Sequence, residues 1–93
     1  MGYFVYVISS NRKSKLITYV GYTNNLKKRL ILHNKGKGAK FTRGRKWKII
    51  HVEKYSTKSE AISREYYIKR NRKFRNLIKK NLNEKKPSDT LTL

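Results

Sequence analysis

Residues 3–22 read YFVYVISSNRKSKLITYVGY. Tyr3–Ile8 is aromatic or β-branched at every position, so both alternating faces are apolar, the pattern of a strand covered on two sides. Ser9–Lys15 is polar and turn-like, and Leu16–Tyr22 resumes the strand character, which predicts a β-hairpin. With the turn centred between Arg12 and Lys13, Tyr6 falls opposite Tyr19. A slip of one residue would send one ring to the other face.

Downstream, Thr23-Asn24-Asn25 supplies N-cap chemistry for a short helix over Leu26–Asn34, ended by Gly36. At 100° per residue, Leu26, Arg29, Leu30 and His33 share one face of it, while Lys27 and Lys28 point elsewhere. Residues 35–46, KGKGAKFTRGRK, hold six basic side chains and three of the five glycines. Such a loop can bring backbone N–H groups close to an anion, or it can be a flexible basic loop without a defined ligand. Lys37, Lys40, Arg43 and Arg45 are the candidates for phosphate-backbone contacts, and they carry no base-reading pattern.

Trp47–Tyr55 reads as a third strand, with Trp47 as core and His51 without a role. Thr57-Lys58-Ser59-Glu60 is a capping box that starts a helix near Lys58. Ala61, Ile62 and Ile68 mark its apolar side, and Glu65 sits in the middle of that side. A carboxylate there is costly unless paired or metal-bound, and Glu65 is the one acid whose position calls for explanation. Asn71 and Arg72 bend or end the helix. Phe74, Leu77, Ile78 and Leu82 form another amphipathic stretch, with Asn81 on its apolar side. The reading is a single α+β domain over residues 1–82 in the order β-β-α-β-α-α, followed by a flexible tail over 83–93.

Composition narrows the chemistry. The 93 residues hold 25 Lys+Arg against 5 Asp+Glu, a formal charge of +20, and no carboxylate precedes Glu53. Charge of this size favours a polyanionic partner, most simply a phosphate backbone. Without cysteine there is no disulfide framework, thiolate zinc site or cysteine nucleophile. Two histidines exclude a three-histidine zinc centre, and a lone Asp89 argues against a Ser-His-Asp triad. Five scattered acids do not suit a two-metal site. The longest apolar run, Phe4–Ile8, is too short for a membrane span or a signal-peptide core, so a soluble cytoplasmic protein without a membrane partner is expected.

Phe4-Val5-Tyr6 followed by Tyr19-Val20-Gly21 resembles the paired motif of the GIY-YIG nuclease superfamily, with Arg29, His33 and Glu65 following in that family's order. Gly36–Arg43, Ser63-Arg64-Glu65 and Ile68-Lys69-Arg70 are similar to its small stand-alone UPF0213 branch. The resemblance spans about residues 3–80 and departs from the motif at Phe4, Val5 and Val20, all strand-filling positions. It implies a three-stranded antiparallel sheet flanked by helices and a metal-dependent DNA endonuclease of low sequence specificity, with a role in DNA repair or recombination. It further implies Glu65 as ligand of a single Mg²⁺ or Mn²⁺ and Arg29 as stabiliser of the transition state. Tyr6 would take the proton from the attacking water, its pKa of about 10 lowered by neighbouring cations or metal. Tyr19 would orient the nucleophile or Tyr6, and His33 would assist proton transfer or hold the phosphate. Asn81 is the match offered for the family's late asparagine.

Apart from that resemblance, the same residues have plainer readings. Tyr6 and Tyr19 suit core aromatics with satisfied hydroxyls, Arg29 a snorkelling side chain, and Glu65 a structural ion pair with a cation such as Arg29. The corresponding alternatives for the whole chain are a non-catalytic basic module that binds DNA or structured RNA, and a ribosome-associated RNA partner. DNA is the expected partner, RNA the less expected one.

Overall fold

A computed structural model describes residues 2–84 of the chain, with side chains through 81. The elements are β1 (Tyr3–Arg12), β2 (Lys15–Thr23), α1 (Leu26–Asn34), β3 (Lys48–Tyr55), α2 (Lys58–Arg70) and α3 (Arg72–Glu84). This is the predicted α+β order. α3 runs through residues 83 and 84, which the sequence reading assigns to the tail; the remainder of that segment lies outside the described residues.

β1 is the centre of an antiparallel sheet in the order β2-β1-β3. Its composition accounts for the helices above and below it, because a strand apolar on both faces needs cover on both sides. Val5 and Val7 join Val20 and Ile50 under Ala61 and Ile68 of α2 and Ile78 of α3. Tyr6 and Ile8 face the other way and pack with Leu26 of α1 and Trp47. Each such fully buried aliphatic side chain contributes roughly 1.5–3 kcal/mol.

The hairpin register differs from the expected one. Arg12 pairs with Lys15, Tyr6 with Gly21 and Ile8 with Tyr19. The turn residues are Lys13 and Ser14, both at positive φ (47° and 71°), a primed two-residue turn whose twist suits the flanking strands. Facing Tyr6 with glycine rather than with a second ring has a steric cause. A Cβ at position 21 would lie 2.6 Å from Cζ of Tyr6, so only glycine lets the phenol lie across β2. The shift is by two residues, so Tyr6 and Tyr19 still share the α1 face.

The helices differ in detail. Asn25 caps α1 by accepting from the Lys28 N–H (3.1 Å), and Thr57 and Glu60 form the predicted capping box. Asn71 separates α2 from α3, accepting from the Phe74 N–H (2.9 Å) and donating to the Tyr67 hydroxyl (2.8 Å). Ile62 and Leu77 are exposed, not core, because α2 meets the sheet through Ala61 and Ile68 and α3 through Phe74 and Ile78. Asn81 is likewise exposed, which removes it from the apolar side of α3.

Glu53 corrects the expectation that only Glu65 needs explaining. Its carboxylate accepts from Arg64 twice (2.7 and 3.1 Å), from the Tyr55 hydroxyl (2.6 Å) and from His51 (2.8 Å). Arg64 also lies over the rings of Tyr67 and Phe74, at 4.9 and 5.1 Å, so one guanidinium ties β3 to both helices. Burial alone would raise the Glu53 pKa; the hydrogen bonds from Arg64, Tyr55 and His51 outweigh it and hold the carboxyl at about 2. His51 therefore has a structural part where none is expected.

Candidate active site

At the open edge of β2 lies a cavity of about 370 Å³ with Gly21 in its lining. Tyr6 reaches it from β1, Tyr19 from β2, Arg29 from α1 and Glu65 from α2. Four residues far apart in sequence thus meet in one concavity, and Lys58 and Asn24 join them at its rim. Glu65 comes from the opposite layer to Arg29. The two can meet because β2 is an edge strand and the pocket wraps around it.

His33 does not line this pocket; it is fully buried behind Tyr6. The Tyr6 hydroxyl is 2.8 Å from Nε2 of His33, and Nδ1 of His33 is 2.9 Å from Oγ1 of Thr42. Thr42 donates to the carbonyl of Ala39 at 3.0 Å. Because that carbonyl can only accept, the direction of the whole chain is fixed. Thr42 Oγ1 accepts from Nδ1–H, and Nε2 is left bare to accept the Tyr6 proton. Burial, reinforced by the nearby Arg29 cation, pushes the His33 pKa below its ordinary value, which keeps the ring neutral as this chain requires. His33 therefore lies behind Tyr6 as its hydrogen-bond acceptor and does not itself face the pocket.

The Tyr6 phenol departs from expectation in the other direction. Burial pushes its pKa above the usual value; Arg29 pulls it down, and Tyr19 and Glu65 add to the rise. The raised pKa keeps the Tyr6 phenol protonated at neutral pH, as the donor to Nε2 of His33.

Thr42 escaped the sequence reading. It is fully buried in a loop of lysines and glycines, where no periodicity marks an inward position. The loop is held to it on several sides. Trp47 Nε1–H donates to the Thr42 carbonyl (2.9 Å), and Asn34 exchanges hydrogen bonds with the backbone of Trp47. Gly38 lies against the imidazole, where a Cβ would come within 2.7 Å of Cγ. At that position the glycine serves close packing on His33. Lys58 was also missed, since its place in a capping box suggests only a helix start.

Lys37, Lys40 and Arg43 are exposed on the same loop, outside the pocket. Arg45 is half-buried, with its guanidinium 5.8 Å from the ring centroid of Phe41. Asn81 is not part of the pocket.

Among the described residues no group of three or more His, Cys, Asp or Glu gathers as a metal cage. Among the described residues Glu65 is the one carboxylate lining the pocket, mostly buried and paired with Lys69 at 3.4 Å. Lys69 is about half exposed, and such a pair is loose. One available carboxylate beside room for phosphate fits a hard divalent cation whose other ligands are water and phosphate oxygens.

A three-stranded sheet with this order and this pocket defines a class, and comparison with known proteins gives it a name. The family described as the GIY-YIG catalytic domain matches residues 2–81. A UPF0213 protein of Oceanobacillus iheyensis is 45% identical over 76 residues, 81% of this chain and 85% of that one. A UPF0213 protein of Clostridium perfringens is 45% identical over 85 residues, covering 87% and 88% of the two chains. The solution structure of a UPF0213 protein from Bacillus halodurans aligns with a TM-score of 0.47 at 32% identity, covering 84% of this chain and 82% of that one. The chain belongs to the GIY-YIG family, in its UPF0213 group. Among the described residues no helix is long and apolar enough to cross a membrane.

Proposed function

We propose that this protein is a divalent-metal-dependent endonuclease that hydrolyses phosphodiester bonds of DNA with low sequence specificity, in the cytoplasm and in the service of DNA repair or recombination. The observation that carries the reading is the meeting of Tyr6, Tyr19, Arg29 and Glu65 in one pocket, with His33 behind Tyr6 to take its proton.

In this mechanism a water molecule attacks phosphorus. Tyr6 accepts a proton from that water while its own proton passes to Nε2 of His33. Thr42 and the Ala39 carbonyl hold the imidazole in the tautomer that can receive it. Arg29 faces the negative charge that grows on the phosphoryl oxygens, and its fork of donors suits that geometry. Tyr19, beside Tyr6 in the pocket, orients the water. Lys58 adds a second cation to the phosphate site. Glu65 would hold Mg²⁺ or Mn²⁺, which would supply Lewis-acid polarisation of the phosphate. The ester oxygen leaves and is protonated from solvent, and His33 returns its extra proton to solvent through Tyr6, which restores both residues.

The test is nicking of labelled duplex, flap, junction and single-stranded DNA with Mg²⁺ or Mn²⁺. Cutting should vanish with Glu65→Ala and with Arg29→Ala. Wild-type rates in both variants would assign the cutting to something other than this site, whereas DNA binding unaffected by metal and without any cleavage would leave a binding module in its place.

A further inference from the structure

Phe41 is 54% exposed, yet the loop around it is fixed. Its neighbour Thr42 is fully buried, tied to His33 and to the Ala39 carbonyl, and its own carbonyl is bound by Trp47. With residue 42 locked inward, the ring at 41 is held outward. It lies nearly parallel to the Tyr19 ring, at 21° and 6.2 Å between centroids, and Tyr19 lines the pocket. Trp47 flanks it at 6.2 Å and the Arg45 guanidinium at 5.8 Å. Lys40 and Arg43 stand exposed on the same loop. The ring packs on these neighbours with one side and leaves more than half of its surface to water, next to the site and among cations.

Nucleobases are the natural complement of such a surface, since every base has a π-face and every nucleotide a phosphate for the nearby cations. In an intact duplex those faces are covered by neighbouring base pairs. We infer that Phe41 is a base-stacking platform, so that the site receives an unstacked nucleotide and prefers single-stranded DNA to intact duplex. The inference rests on the pocket being a phosphodiester site, since that is what places Phe41 beside the strand. It adds the class of strand that the site takes.

Binding in EDTA separates this from catalysis. Fluorescence anisotropy with a labelled single strand and a duplex of the same sequence is compared for wild type, Phe41→Ala, Phe41→Leu and Phe41→Trp. The Ala and Leu variants should bind the single strand about 5- to 100-fold more weakly while duplex affinity stays within about twofold. Phe41→Trp should keep single-strand affinity, and its added indole emission should be quenched by single strand and not by duplex. Equal losses on both substrates, or no loss on either, would overturn the inference, because a mere packing or charge role predicts one or the other. A protein that cuts nothing but shows the Phe41-dependent strand preference would sink the endonuclease reading alone. One that cuts and shows no such preference would sink only this inference.

Discussion

The oxygen of Tyr6 is held 2.8 Å from Nε2 of His33, and the ring that carries it lies where any side chain at position 21 would be. One contact gives the phenol hydrogen an acceptor; the other leaves room for the ring to lie across β2. Tyr6→Phe removes the proton acceptor and leaves Nε2 buried without a donor. Nicking should fall by about 100-fold or more, with a stability loss of about 1–3 kcal/mol. DNA affinity should stay unchanged. A variant that still cuts at the wild-type rate would show that the proton takes another route.

Gly21→Ala tests the second contact. The new Cβ would overlap the phenol, so the ring must leave its place against His33. The expected result is a folded protein destabilised by about 1–3 kcal/mol, with nicking lost in step with the Tyr6 variant. Full activity in Gly21→Ala would mean that the phenol need not lie across β2.

Thr42 reaches Tyr6 only through His33, although it also anchors the loop that carries Phe41. Thr42→Val keeps the shape but leaves Nδ1–H unpartnered, which costs about 1–3 kcal/mol in a denaturant melt. It also frees the other tautomer, so kcat should drop with KM for DNA unchanged, and Thr42→Ser should restore it. The pH profile carries the same information. The His33 pKa lies below its ordinary value, so activity should persist below pH 6.5 and fall once the ring protonates. Stability follows the same sign. The folded state disfavours the charged ring, so its contribution is full above about pH 6.5 and declines as pH falls from there. Since the Tyr6 pKa is raised, no alkaline limb from that phenol should occur near pH 10.

How much of this was legible beforehand depended on whether a residue carried a local rule. Asn25 and the Thr57/Glu60 pair are capping chemistry and mark the helix starts correctly. The two-sided apolar run of β1 marks the central strand. The hairpin register was not legible, because Lys13 and Ser14 adopt positive φ without the glycine or asparagine that signals a primed turn. Helical periodicity showed the inner side of α2 but not its width, so Ile62 was placed in the core and is exposed. Tyr6, Tyr19, Arg29 and Glu65 were readable only together, through the family resemblance. Thr42 and Glu53 were invisible because their importance lies in partners 9 and 11 residues away that only the fold brings close.

Glu53 is placed to make the fold sensitive to acid. Its pKa of about 2 against an ordinary value near 4.5 corresponds to about 3 kcal/mol of stability, present above pH 4.5 and lost as pH falls towards 2. Glu53→Gln should lower stability at pH 7 by that order and flatten the acid unfolding curve, read by circular dichroism. An unchanged acid midpoint would place the acid sensitivity elsewhere.

The cations of the loop make a separable prediction, since Lys37, Lys40 and Arg43 are exposed and outside the pocket. Each that meets a phosphate contributes about 0.9 to the slope of log K against log salt for duplex DNA. Replacing each with glutamine should weaken binding uniformly across sequences and reduce the slope by about 1 per contact. The maximal cutting rate at saturating DNA should stay near wild type. Arg45 should behave differently, because its guanidinium packs against Phe41 and is half-buried. Its loss should disturb Phe41 and reduce single-strand binding more than the salt slope. A loop variant that lowers the saturated rate while leaving the salt slope intact would move these cations from the path of the strand into the chemistry.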